Sequence, residues 1–155
     1  MAHNTIDQLN HLVNVNRDAE EGFRAASTNV KNSELATLFE DYARQHAKFS
    51  EEIQAEIKRL GGTPAGGGTF GGALHRGWMD LKSSLSGRSA RAMLKSCETG
   101  EESAEIAYLD ASDGNPTGQT HAVIAKHKEQ IGEFRKHLAR LVSEIKDGSD
   151  FPENI

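Results

Sequence analysis

The stretch Gly61-Gly62-Thr63-Pro64-Ala65-Gly66-Gly67-Gly68-Thr69-Phe70-Gly71-Gly72-Ala73-Leu74-His75-Arg76-Gly77-Trp78 cannot be one continuous helix. Glycine gives up the most backbone freedom on ordering, and Pro64 lacks the amide proton that a helix interior needs. The punctuation marks one long central connection, 61–88, in which Trp78, Leu81 and Leu85 predict a short helix ended by Gly87.

Helical periodicity surrounds this connection. Upstream, Ile6, Leu9, Leu12, Val13, Ala19, Phe23, Ala26 and Val30 recur at three- and four-residue steps after Thr5-x-x-Gln8, which has the form of a capping box. The pattern predicts a helix over 5–28. After the polar break Lys31-Asn32-Ser33, the stripe Leu35, Leu38, Tyr42, Phe49, Ile53, Ile57, Leu60 predicts a second helix over 33–60, with Gly61-Gly62 as its C-terminal cap. Downstream, Ala90, Leu94, Cys97, Ala104, Tyr108 and Ala111 predict a third over 89–112. Asn115-Pro116 restarts the chain, and Val123, Ile124, Ile131, Phe134, Leu138, Leu141 and Ile145 predict a fourth over 118–146, closed by Gly148.

Connection lengths select the topology. The first and last breaks are short, so each flanking pair should form an antiparallel hairpin. A helix of about 26 residues is about 40 Å long, and the 61–88 segment can run that whole distance, so the second and third helices can be parallel. Two hairpins joined by one long crossover is the connectivity of ferritin-like four-helix bundles. The expectation is an all-α, single ferritin-like domain over 1–155, with the crossover at 61–88 and a C-terminal tail at 148–155.

The composition agrees. The chain has 155 residues, 36% hydrophobic and 26% charged, enough for one core without a disulfide or structural metal. Its one cysteine, Cys97, excludes an intrachain disulfide and fits a reducing compartment. With 23 Asp plus Glu against 18 Lys plus Arg, the net charge of -5 argues against nucleic-acid binding. The N-terminus lacks the basic and apolar regions of an export signal, and no apolar run is long enough to span a membrane. The glycine-rich stretch follows a helix and lacks a Gly-Lys-Ser/Thr ending, so no nucleotide site is expected. Met79 and Met93 read as packing residues, not haem ligands, and Cys97 reads as a core thiol.

Polar residues interrupt the apolar stripes. The series Ile124, His127, Ile131 puts His127 on the fourth helix's seam. Leu38, Tyr42, Gln45, Phe49, Glu52 does the same for Gln45 and Glu52, with His46 beside them. Leu94, Cys97, Glu101, Ala104, Tyr108 places Glu101 on the third seam and Glu98 at its edge, and in the first helix Asn16 and Glu20 lie between Val13 and Phe23. A buried carboxylate without a partner costs several kcal/mol, so these groups need compensation. One solution is a divalent metal pair, held in ferritin-like carboxylate proteins by a Glu from two helices and Glu-x-x-His from the other two. No Glu-x-x-His occurs in this sequence. The other solution is a polar network in which Glu52, Glu101 and His127 bond to one another or to Arg24, Arg44, Tyr42 and Tyr108.

The segment Gly72-Ala73-Leu74-His75-Arg76-Gly77-Trp78-Met79-Asp80-Leu81-Lys82, with Leu60-Gly61-Gly62-x-Pro64 before it and Glu98-x-Gly100-Glu101-Glu102 after it, resembles an uncharacterised bacterial family of ferritin-like four-helix-bundle proteins. Asp18-x-x-Glu21-Gly22-Phe23 in the first helix matches its pattern more weakly. The resemblance implies a cytoplasmic bacterial protein and, by analogy with the superfamily, a metal centre or stress role. It points to Glu21, Glu52, Glu98, Glu101, Gln130 and His137.

Two functions stand open on the sequence. In one, Glu21, Glu52, Glu98, Glu101, His46, His127 or His137 hold one or two iron, manganese or zinc ions, with ferroxidase-like oxidation of Fe(II) by O2 as the attached activity. In the other, a metal-free bundle acts as a homodimeric stress or scaffold protein with a polar core network.

Overall fold

In a computed structural model, residues 2–64 and 89–145 are described, with side chains from Thr5 onward. The segment 65–88, with its expected short helix and its His75-Arg76-Gly77-Trp78 motif, and the 148–155 tail lie outside the described residues.

Four long helices account for nearly all of the described chain: α1 (Ala2–Asn29), α2 (Ser33–Arg59), α3 (Ala90–Asp113) and α4 (Gly118–Glu144). Side-chain oxygens start two of them. Asn32 accepts from the Leu35 amide at the head of α2, and Ser89 from the Ala92 amide at the head of α3. The Thr5 capping box does not form. The helix already runs through residues 2–4, and Gln8 instead lies against Gly114, at the far end of α3.

At the end of α2 the Gly62 amide donates to the Ile57 carbonyl (2.9 Å) and the Gly61 amide to Lys58 (3.0 Å). This is the paired hydrogen bonding of a Schellman cap, and it requires the left-handed φ of +86° that Gly61 adopts. Asn115 takes the equivalent left-handed position, φ 56°, after α3, and Pro116 ends the helix there.

Cross-helix contacts fix the directions. Ile6 of α1 lies beside Gly62 at the end of α2, and the Ser27 hydroxyl reaches the Ala36 carbonyl, so α1 and α2 are antiparallel. Arg91 Nε donates to the Ile145 carbonyl while Tyr108 meets His127, so α3 and α4 are antiparallel. Asn16 meets Tyr108 and Gln8 lies at Gly114, which sets α1 against α3. Both α2 and α3 therefore run opposite to α1. They are parallel to each other, as the long connection allows.

The core is in two parts. One packs Phe23, Leu35, Phe39, Leu94, Cys97 and Leu138 with their neighbours, and the other packs Leu12, Phe49, Ile53, Ala104, Tyr108 and Ile131 with theirs. Phe134 touches both. Between them, α1 contributes Asn16, α2 His46 and α3 Glu101, all three fully buried. A polar layer crosses the bundle at mid-height. Gly61→Ala would force a Cβ into the left-handed region, where it meets no neighbour to relieve it. We expect about 1 kcal/mol of destabilisation, read as a lower urea midpoint with an unchanged m value.

Candidate functional site

The α2 register places the polar layer. Its buried series is Leu35, Phe39, Tyr42, His46, Phe49, Ile53 and Glu56, with strict alternation of four- and three-residue steps. The expected seam through Leu38, Gln45 and Glu52 is therefore shifted by one position. His46 occupies the centre, Gln45 and Glu52 lie at the edge, and Glu56 is buried. On α3 and α4 the expected seams hold, with Glu101 and His127 fully buried.

These groups form one continuous chain of hydrogen bonds. Glu101 brings both oxygens to His46 Nε2, at 2.9 and 3.0 Å, across the centre of the bundle. His46 Nδ1 meets Asn16 Oδ1 at 2.8 Å, and Asn16 Nδ2 meets Tyr108 Oη at 2.8 Å. Tyr108 Oη meets His127 Nδ1 at 2.8 Å, and His127 Nε2 meets Glu52 Oε1 at 2.7 Å. Lys126 Nζ closes the outer end on Glu52 Oε2 at 3.3 Å.

The proton positions follow from one backbone group. Asn16 Nδ2 also donates to the Leu12 carbonyl at 2.9 Å, and a carbonyl can only accept. The amide orientation is thus set, and Oδ1 must accept from a protonated His46 Nδ1. Asn16 donates to Tyr108, so the phenol donates in turn to His127 Nδ1. His127 is then the neutral tautomer that carries its proton on Nε2 and donates it to the Glu52 carboxylate. One further proton lies between His46 Nε2 and Glu101.

The electrostatics agree. Burial pushes His127 below the ordinary imidazole value, against the pull of the Glu52 carboxylate. For Glu52, partial burial pushes the carboxyl up, but the His127 and Lys126 contacts outweigh it and hold the group below its usual range. Burial, together with the charges of Glu101 and Glu52, raises the Tyr108 phenol despite the donation from Asn16. Cys97 is a buried free thiol, pushed up by burial and by Glu101.

The remaining candidates sit elsewhere. His137 is half-buried, its Nδ1 2.7 Å from Tyr42 Oη, one full layer from His127. Glu21 is exposed and Glu98 only partly buried. Arg24 and Arg44 pair at the surface, Arg24 with Glu20 and Glu40 and Arg44 with Asp41, and neither enters the core.

Three buried polar residues, Ser50, Glu56 and Thr120, went unread in the sequence. Glu56 takes both a bidentate contact from Arg59 and the hydroxyl of Thr120, which ties the end of α2 to the start of α4. The Arg59 contact, helped by Thr120, holds the Glu56 carboxyl below its usual range despite burial. The signal for Glu56 was present, since it continues the heptad of His46, Phe49 and Ile53.

A metal centre needs donors with free lone pairs that converge. Among the described residues, no three His, Cys, Asp or Glu side chains group as ligands. Both nitrogens of His46 and both of His127 already face protein partners. The 2.9 and 3.0 Å contacts of Glu101 with His46 Nε2 have the length of ordinary hydrogen bonds, so this carboxylate already has its partner in the protein. The residues present do not fit a mid-bundle metal in this arrangement.

Helix order, directions and crossover define the chain as a ferritin-like four-helix bundle. Two solved structures share the fold. A mutant of Dps1 from Mycobacterium smegmatis is similar over 91% of this chain and 96% of that one, with 12% identity and a TM-score of 0.74. The bacterioferritin-related protein of Bacteroides fragilis, a dodecameric thioferritin, is similar over 93% and 84%, with 16% identity and a TM-score of 0.63. At these identities the likeness is one of fold. No curated protein matches the sequence. The family model described as Domain of unknown function (DUF2383) matches residues 4–114, and the chain belongs to that family. The match ends before α4, so Gln130 and His137, named by the resemblance, lie beyond it.

Asn16→Leu strips His46 Nδ1 of its acceptor and Tyr108 of a donor inside the core. Unsatisfied buried groups cost about 1–3 kcal/mol each, so a loss of about 2–4 kcal/mol is expected on urea denaturation. Glu101→Gln keeps an N–H aimed at His46 Nε2 and should cost about 1 kcal/mol or less.

Acid should weaken the bundle in two stages. The native His127 binds its proton below the ordinary 6.5, so the unfolded chain holds more protons and stability falls as the pH drops below about 6.5. The Glu52 contribution is present above 4.5 and is lost as the pH falls through its lower folded value. Urea midpoints measured from neutral pH downward check both stages.

Proposed function

We propose that this protein is a ferritin-like bundle that works without a mid-bundle metal, as a self-associating scaffold or stress protein whose polar layer specifies the packing of its helices. The observation that carries this reading is the saturated, one-directional chain from His46 to Glu52. Both ring nitrogens of His46 and of His127 face protein partners, and the layer joins α1, α2, α3 and α4 in a single register. Buried polar groups used in this way fix helix register at some cost in stability.

The fold likeness alone suggests the rival reading, an iron, manganese or zinc centre with ferroxidase chemistry. For that reading the ligands would come from Glu52, Glu101, His46 and His127, and each would have to leave its present partner.

A homodimer is part of the proposal. Ile106 and Leu109 lie three residues apart on α3, 51% and 44% exposed, and offer two large apolar side chains to a second copy. Among the described residues no helix is long and apolar enough to cross a membrane. The buried free thiol of Cys97 suits the reducing cytoplasm.

The test is metal loading. Protein freed of metal is offered Fe(II) without oxygen, Mn(II) or Zn(II), and bound metal and melting temperature are measured. A site filled at a hundred times its Kd would add about 2.7 kcal/mol, a shift of several degrees in a domain of this size. The expected result is no stoichiometric metal and an unmoved melting temperature, with light scattering giving the dimer mass. A stoichiometric ion that Glu101→Leu abolishes would overturn the reading.

A further inference from the structure

The chain has two tyrosines, Tyr42 and Tyr108, and both hydroxyls lie on the Nδ1 of a histidine, at 2.7 and 2.8 Å. Both rings are buried. For Tyr108 the phenol is the donor, because Asn16 already donates to its oxygen. Its acceptor His127 can release the Nε2 proton to Glu52, so the route for a proton is built beyond the first transfer. Burial holds the proton on the Tyr42 phenol, and His137 Nδ1, 2.7 Å away, accepts its hydrogen bond in the tautomer that carries the ring proton on Nε2.

The two pairs are not isolated from each other. His127 stacks on Phe49 at 4.3 Å between ring centroids, Phe49 lies parallel to Phe134 at 6.3 Å, and Phe134 stacks on Tyr42 at 4.4 Å. A column of π-systems along the α2–α4 interface thus carries an oxidisable phenol at each end.

Loss of one electron makes a phenol a strong acid, so its oxidation is easy only where a base can take the proton at the same moment. From this geometry we infer that Tyr42 and Tyr108 are one-electron donors, each oxidised to a neutral phenoxyl radical with its histidine as proton acceptor. The co-reactant is an outer-sphere one-electron oxidant, such as an oxidising radical. In each event the phenol O–H bond breaks and an N–H bond forms at Nδ1. The electron reduces the oxidant by one unit, and tyrosine is oxidised by one. The inference does not rest on the metal-free reading, since no ion takes part.

The experiment uses the full chain with photogenerated trivalent tris(bipyridine)ruthenium as oxidant, followed by transient absorption and freeze-quenched electron paramagnetic resonance. A neutral tyrosyl radical is expected. Its rate of formation should be constant between about pH 7 and pH 9, above the ordinary imidazole pKa of about 6.5, because the proton passes to a base inside the protein. His137→Phe, at a half-buried site, removes the acceptor of Tyr42. A positioned base typically contributes about 100-fold or more, so in a Tyr108→Phe background this change should slow radical formation by a similar factor. The Tyr42→Phe/Tyr108→Phe double variant should give no tyrosyl signal. A wild-type protein that yields no tyrosyl radical, or one whose rate climbs steadily with pH, overturns the inference. So does an unaltered rate in the His137→Phe background.

Discussion

The hydrogen bond from Asn16 to the Leu12 carbonyl is one turn long and lies inside a single helix, yet the polar layer takes its sense from it. A carbonyl cannot donate, so the amide cannot turn over, and each link beyond it is then compelled. Every proton along the chain from His46 to Glu52 points the same way, outward. Bonds aligned in this manner polarise one another, and in a low-dielectric interior that strengthens the set beyond its separate members. The same low dielectric makes each broken link expensive.

That constraint explains why the layer lies where it does. At the centre of the bundle the histidine is enclosed by the rings of Phe23, stacked at 5.8 Å, and of Phe49 and Phe134, edge-on at 5.5 and 6.2 Å. An imidazole so enclosed cannot draw on water. Its two nitrogens must be answered by the protein, and Asn16 and Glu101 answer them from α1 and α3. The diagonal contact between α2 and α3 is thereby polar at mid-height. The apolar packing is divided into two cores above and below it.

Much of this was legible in the sequence. The four helices, their ends within a few residues, and the parallel setting of α2 and α3 followed from periodicity and connection length. So did the burial of Glu101 and His127, because each interrupts an otherwise unambiguous stripe. The register of α2 was not legible to one residue. Tyr42 and Phe49 belong equally to a series through Gln45 and Glu52 and to one through His46 and Ile53, and only contact with α1 and α3 chooses between them. The chain of hydrogen bonds was beyond reach, because its sense depends on a main-chain carbonyl that no residue identity announces. The pairing of Glu52 with His127 was legible as one of two ways to compensate the mid-bundle carboxylates, whereas the pairing of Glu101 with His46 depended on the register of α2.

The division of the core bears on how the protein tolerates change. The two apolar clusters share little besides Phe134 and are separated by a layer with its own bonding rules. Substitutions more than about 7–10 Å apart with no common partner generally add. Variation at Leu94 or Phe39 can therefore be absorbed without consulting Ile53 or Ile124, as though two small proteins shared four backbones. The layer has no such freedom. A change at Asn16, His46 or Tyr108 alters what its neighbours must offer, so lineages should drift piecemeal at either end of the bundle and replace the middle only as a set.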